Sequence, residues 1–515
     1  MAWRVRRGRT FFVIVGAGVA VVAVIVAIVL AVPSGGSAYA PARLSAAPLG
    51  VNVAPWDGTY SAPGSVSVIQ PLLRAAGIRQ LRYGGGSYAD SYDWQANTSI
   101  ANCLQDDATA SFTARCASPG QLDFSQFSGQ ARAIGAQSFV TVNYGSGTPA
   151  LAGAWVAQAA RTAGQRVALW EVGNETYGCW EVDDELAGPP ARYQGYKPGA
   201  NGAGNPACPQ VTEGSAAGTQ TLARSYAANA VPFLRAMKAA DPAARIGVPW
   251  AFDGSVPGAA VPDNGEWNGT VLGATGKYVS FVDAHYYPFT FSGATGGANP
   301  DDQQVLGALL RIPALYASIR AGLNAYDPKA SVVVGETAVS NNATTTVCSP
   351  VGALFAAGDV LSWLAAGAQS VDWWDLNNYG NTGARCLRPD YGLVTSSSRP
   401  GAQTPYDGYV LASVLAQPHA LLGALATSDP SGVLAFESVL PAGKVAVALI
   451  NITATARTVT FQPSPALAGP LRTWSYSAAR QNAADSEVVA GTAQAASVAG
   501  GVTLPAESMI VLQTR

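Results

Sequence analysis

Eight short apolar runs, most of them separated by amphipathic stretches, constrain this chain more than any other feature. The runs cover residues 49–56, 80–85, 137–145, 167–175, 244–252, 280–288, 331–338 and 370–378. Between them, 66–76, 150–164, 222–240, 304–325 and 354–366 carry apolar residues three and four apart, with Gly or Pro marking their ends; 409–415 follows the last run. Strands alternating with helices argue for a parallel sheet, and eight repeats argue that the sheet closes on itself. After about residue 421 the period changes. The stretches 433–437, 444–450, 458–461, 471–476 and 509–512 read as short strands with turn residues between them. The expected fold class is therefore α/β, a (β/α)8 TIM barrel over 49–420 followed by a C-terminal all-β sandwich over 421–515.

The N-terminus reads as a separate unit. Arg4, Arg6, Arg7 and Arg9 precede an apolar run at 11–32 that is long enough to span a bilayer. The expectation is a cytoplasmic tail at 1–10, a membrane anchor at 11–32 and a linker at 33–48, with the body outside the cell. A cleaved signal segment is the alternative, since Ala38-Tyr39-Ala40 has the small residues of a cleavage site, although Pro41 disfavours cutting there. Six cysteines fit an oxidising compartment, and neighbours in sequence suggest the pairs Cys103–Cys116, Cys179–Cys208 and Cys348–Cys386. With two histidines and no Cys-x-x-Cys pair, neither a metal nor a cofactor is expected. Charged residues make up only 12% and the net charge is −2, so no basic stripe marks a nucleic-acid partner.

In a barrel of this kind the site forms where the strands end. Several of these ends carry polar or aromatic residues: Arg82 before a triple glycine, Asn143, Asn174-Glu175, His285 and Tyr287, Glu336, and Trp373-Trp374. A buried strand that runs into Asn174-Glu175 is unusual, because a carboxylate out of water is costly without a partner or a task. Two carboxylic acids on strands four and seven supply what glycosidic cleavage needs, a proton donor and a nucleophile or base. Arg82 is the cation expected to keep Glu336 ionised. Period-two alternation puts Asp283, His285 and Tyr287 on one face, from which Tyr287 can orient Glu336. Trp373 or Trp374 offers a sugar ring an apolar surface while the other packs the core. Glu171, inside its strand, is assigned a structural role.

These residues resemble the clan A glycoside hydrolases. Trp170-Glu171-Val172-Gly173-Asn174-Glu175 is similar to their strand-four motif, and Glu336 matches the strand-seven nucleophile. Within the clan, Leu81-Arg82-Tyr83-Gly84-Gly85-Gly86, Val142-Asn143-Tyr144-Gly145-Ser146-Gly147-Thr148 and Glu175-Thr176-Tyr177-Gly178 most resemble the family 51 α-L-arabinofuranosidases. The resemblance implies Glu175 as acid/base and Glu336 as nucleophile. It also implies that Asn174 meets the sugar 2-hydroxyl, with Arg82, Asn143, His285, Tyr287 and Trp373 around the substrate. It implies a polysaccharide or oligosaccharide as partner. Gly84 stands where that family commonly has proline, and Thr337 where it commonly has tryptophan; the triple glycine resembles heparanase-like enzymes of uronic-acid sugars. A β-glucuronidase or xylosidase specificity, or an inert carbohydrate-binding surface protein, are the alternatives.

Overall fold

The computed structural model describes residues 40–56, 58–99, 121–179, 181, 215–252, 267–289, 300–341, 344–378, 386, 389–478 and 487–515. The expectations for 1–32, for Cys103–Cys116 and for Cys208 lie outside them.

Eight parallel strands close into a barrel in chain order: Leu49–Val53, Gln80–Tyr83, Gln137–Val142, Val167–Val172, Ile246–Trp250, Phe281–Tyr286, Ser331–Thr337 and Ser370–Trp373. They are called strands one to eight here. Each stops short of the expected end. At strand four the cause is visible, since Gly173 turns the backbone into the left-handed region (φ 76°) and lifts Asn174-Glu175 off the sheet. Outward residues such as Leu81, Tyr83, Val140 and Val248 pack under the helices, while polar Gln80, Arg82, Glu171, Asp283 and Asp372 fill the barrel interior.

The helix Pro350–Ala366 is buried on all sides rather than on one stripe. It is sandwiched between the barrel and the C-terminal β domain, which explains an apolar composition without amphipathic period. The run Asp302–Asn324 is, by length and composition, apolar enough to cross a membrane, but it contributes Val305, Leu309, Ile312, Ile319 and Leu323 to the barrel core.

The β domain is a seven-stranded sheet with a two-stranded sheet against it, Arg457–Val459 paired with Val502–Leu504. The large sheet runs Ala42–Arg43, Leu421–Ala424, Val433–Val439, Val445–Asn451, Ser508–Thr514, Pro470–Ser477, Val489–Gln494. Val447, Leu449, Leu471 and Leu512 meet Val459, Val502 and Leu504 in a core of their own, while Ala446, Ala448, Ile450 and Val511 join the main core with the barrel. The stretch expected as a linker departs from that reading. Ala42 and Arg43 pair with Leu422 and Leu421, and Leu44 and Ala47 are buried. A two-residue edge strand carries no periodic signal, so only its distant partner makes it a strand.

Cys348 and Cys386 form the expected disulfide, joining the segments that follow strands seven and eight. Cys179 is disulfide-bonded as well.

Candidate active site

Arg82 is the hub. It is wholly buried inside the barrel, and its guanidinium reaches four strands at once. Nη1 donates to Asn52 Oδ1 (2.9 Å) and Glu336 Oε1 (2.7 Å); Nη2 donates to Glu171 Oε2 (2.8 Å) and Asn174 Oδ1 (3.0 Å). Nε lies 3.5 Å from Asp283 Oδ2. Burial works against its charge, but Glu171, Glu336 and Asp283 outweigh burial and hold the proton more tightly than usual.

Glu336 is aimed by an irregularity in its strand. Register against strand six jumps between Val334 and Glu336, leaving Gly335 as a bulge whose N–H donates to Asp283 Oδ1 at 2.6 Å. A Cβ at Gly335 would fall 2.1 Å from Asp283 Oδ2, so only glycine fits. The bulge points Glu336 at Arg82 and Tyr287, whose hydroxyl donates to Oε2 at 2.7 Å. Burial, with Glu175 adding to it, holds the Glu336 carboxyl above the usual range, against the opposing pull of His285, Arg82 and the Tyr287 hydroxyl. The Tyr287 hydroxyl, itself raised by burial and by Glu336, remains a donor.

Glu175 stands opposite on the loop beyond strand four, its side chain 19% exposed where that of Glu336 is 5% exposed. Its backbone φ is 36°, left-handed for a residue that disfavours it. Oε1 accepts from the Tyr177 hydroxyl (2.9 Å) and lies 3.0 Å from His285 Nδ1. That same nitrogen is 3.4 Å from Glu336 Oε2, and Nε2 is 3.4 Å from Asp283 Oδ2. Burial disfavours a charged His285, but Glu336, Asp283 and Glu175 together push it well above the usual histidine range. Its ring nitrogens thus lie among three carboxyl groups, with Nε2 also 3.4 Å from Arg82 Nη2. One oxygen of Glu175 and one of Glu336 lie within 4.8 Å of each other.

Asn174 is held at three polar atoms: its N–H by Asp90 Oδ2 (2.9 Å), its Oδ1 by Arg82, its Nδ2 by Glu181 Oε1 (2.9 Å). Asp90 and Glu181 were not among the sequence candidates. Neither ends a strand, so strand-end logic passes over them. Glu181 is buried, and burial, with Asp90 and Glu175 nearby, raises its carboxyl well above the usual range. Glu171 sits beneath Arg82, buried, with Oε2 bonded to Arg82 and Thr141 and no partner for Oε1. Burial and Asp283, opposed by Arg82 and His285, push it up to about 8. Atoms of Glu171, Asp283 and His285 approach one another closely enough for a metal. The Arg82 guanidinium also lies against all three: Nη2 donates to Glu171 Oε2 and is 3.4 Å from His285 Nε2, and Nε is 3.5 Å from Asp283 Oδ2.

Two candidates are placed otherwise than expected. Asn143 turns its amide into its own loop, donating to Tyr92 O and accepting from the N–H groups of Ser146 and Gly147. Its short side chain follows a strand end, where turn N–H groups compete for it. Trp373 is a core residue, fully buried, with its indole N–H on Tyr391 O and its ring against Phe355 and Tyr409. Trp374 is the partly exposed member, against Trp56 (centroids 6.4 Å apart) and Gly86. A Cβ at Gly85 or Gly86 would strike Trp56 or Trp374, which gives the triple glycine a steric reason.

No family model and no curated protein matches this chain. Solved structures do. A family 51 α-L-arabinofuranosidase from Bifidobacterium longum aligns with a TM-score of 0.64 at 16% identity, over 93% of this chain and 97% of that one. The thermostable GH51 α-L-arabinofuranosidase of Thermotoga petrophila RKU-1 aligns with a TM-score of 0.64 at 14% identity, over 93% and 98%. A GH39 β-xylosidase from Caulobacter crescentus aligns at 0.53 and 15%, over 93% and 98%. The chain therefore has the barrel-plus-β-domain fold seen in clan A glycoside hydrolases and resembles the GH51 arabinofuranosidases among them.

Proposed function

We propose that this chain is a retaining glycoside hydrolase, with Glu336 as nucleophile and Glu175 as general acid/base. The observation that carries the reading is that the two carboxyl groups face each other across the site, with one oxygen of each within 4.8 Å of one of the other's. Retaining enzymes hold them about 5–5.5 Å apart, and inverting ones about 6.5–9.5 Å, to admit a water. Glu336 attacks the anomeric carbon while Glu175 protonates the departing oxygen; Glu175 then takes a proton from the water that releases the sugar. The surroundings support this division. Glu336 has Arg82, Tyr287 and His285 around it, the company of a carboxylate that must stay ionised. Glu175, more exposed and on a loop, can meet both leaving group and water.

The substrate we infer is a neutral sugar of a cell-wall or plant-type polysaccharide, most simply an α-L-arabinofuranoside. Asn174 faces the 2-hydroxyl, and Trp374 takes the stacking role in place of Trp373. A uronic-acid sugar is disfavoured electrostatically. Among the described residues the basic side chains of the site are Arg82 and His285, and both already face carboxyl groups. The disulfide Cys348–Cys386 supports a body outside the cytoplasm, and the apolar segment 11–32 is our candidate for a membrane anchor.

A panel of aryl arabinofuranoside, xyloside, glucuronide and galactofuranoside tests the sugar. For the roles, Glu175→Ala should keep turnover of an activated aryl glycoside when azide is added, since azide needs no general base, whereas Glu336→Gln should be inert toward all of them. Azide rescue of the Glu336 variant, with a product of opposite anomeric configuration, would exchange the roles.

A further inference from the structure

Asp90 lies in the short 3-10 helix Gly86–Ser91 after the triple glycine and is wholly buried. Its carboxylate binds two backbone N–H groups from two different strand ends: Oδ2 accepts from Asn174 (2.9 Å) and Oδ1 from Tyr144 (3.2 Å). Its carbonyl oxygen accepts from the backbone N–H of Ser146 (3.0 Å) and lies 3.3 Å from the Ser146 hydroxyl. One residue thus ties the ends of strands two, three and four together.

What it ties is a turn with two left-handed residues. Gly173 (φ 76°) and Glu175 (φ 36°) are both left-handed, and strand-four ladder pairing with strand five ends at Glu171. The N–H of Asn174 has left the sheet, and Asp90 receives it. The fit is close: a Cβ at Gly173 would come within 2.9 Å of Tyr144 Cβ and 3.3 Å of Asp90 Oδ1. A left-handed residue at a site persists only where its surroundings over-determine it. A buried carboxyl group whose two oxygens accept from N–H groups at a turn is a strong form of such support.

We propose that Asp90 is a positioning residue for the acid/base step, fixing the Asn174-Glu175 turn so that the Glu175 carboxyl is directed at the leaving oxygen. The proposal rests on the reading of Glu175 as acid/base. It separates Asp90 from a residue that merely stabilises the fold, because in the first step, which kcat/KM reports, a misdirected acid matters only when the leaving group needs a proton.

Asp90→Asn keeps the size and replaces one acceptor by an NH2 group that faces an N–H donor; Asp90→Ser keeps a single acceptor. Both are made in the full chain and compared with wild type by kcat/KM on a phenyl and a 2,4-dinitrophenyl glycoside, with thermal unfolding in parallel. The phenyl glycoside should lose about 10–100-fold, the scale of a misplaced catalytic group. The dinitrophenyl glycoside should stay within a factor of about 2, because its leaving group needs no proton, and azide should accelerate its turnover. Equal losses on both glycosides in either folded variant overturn the proposal. Glu175→Ala in the same assay keeps the two ideas apart. If that variant shows no leaving-group dependence, the assignment of Glu175 fails; if it does and the Asp90 variants do not, only the role of Asp90 fails.

Discussion

Replacing Glu171 by Gln removes a proton that the folded barrel is expected to hold. Glu171 is buried beneath Arg82, and burial and Asp283 push its carboxyl up to about 8 against the pull of Arg82 and His285. In the unfolded chain it titrates near about 4.3. An acid raised on folding contributes most below its unfolded value, and that contribution drains away as pH rises from about 4.3 to about 8, then stays flat. The folded state binds one more proton than the unfolded state across this window, so the slope is at most about 1.4 kcal/mol per pH unit. Gln cannot titrate, and the slope disappears with it. Its amide nitrogen takes the place of Oε1, which has no hydrogen-bond partner, so a pH-independent cost of about 1–3 kcal/mol accompanies the change. The variant should therefore start less stable than wild type near pH 5 and gain on it by up to about 2.7 kcal/mol by pH 7. Urea unfolding of both proteins at about pH 5, 6 and 7, followed by tryptophan fluorescence, reads the difference. Parallel pH dependences would mean that Glu171 is ionised in the folded barrel and that Arg82 is shared by three charges rather than two.

Two further outcomes follow from particular contacts. Tyr287→Phe takes from Glu336 Oε2 its donor at 2.7 Å, so kcat should fall about 10–100-fold with little change in KM; an unchanged kcat would remove Tyr287 from the support of Glu336. Replacing Cys348 and Cys386 by Ala opens a loop whose ends lie 38 residues apart, which should cost about 2–4 kcal/mol in a denaturant titration. No loss would mean that backbone contacts alone hold the segments after strands seven and eight.

The sequence by itself determined the sequence of elements. Apolar runs with helical stretches between them are local properties, and each strand of the barrel lies within a run that its residues announce. The polar residues at the run ends were equally legible, because Asn174, Glu175, His285 and Glu336 interrupt patterns that would otherwise be apolar. What the tertiary structure decided is which side chains meet. Arg82 was expected against Glu336, but that it also binds Glu171 and Asn174 depends on strands two, four and seven converging on one axis. Trp373 and Trp374 are indistinguishable as neighbours in a sequence; strand eight turns one into the core and leaves the other beside Trp56. Ala42–Arg43 became a strand only because Leu421–Ala424, far along the chain, offered it an edge. Asp90 and Asn174 are 84 positions apart, joined by a backbone N–H that no side-chain pattern records. Local periodicity reports the backbone that a segment prefers, whereas a buried polar contact is set by closure of the barrel, which brings distant strand ends within hydrogen-bonding reach.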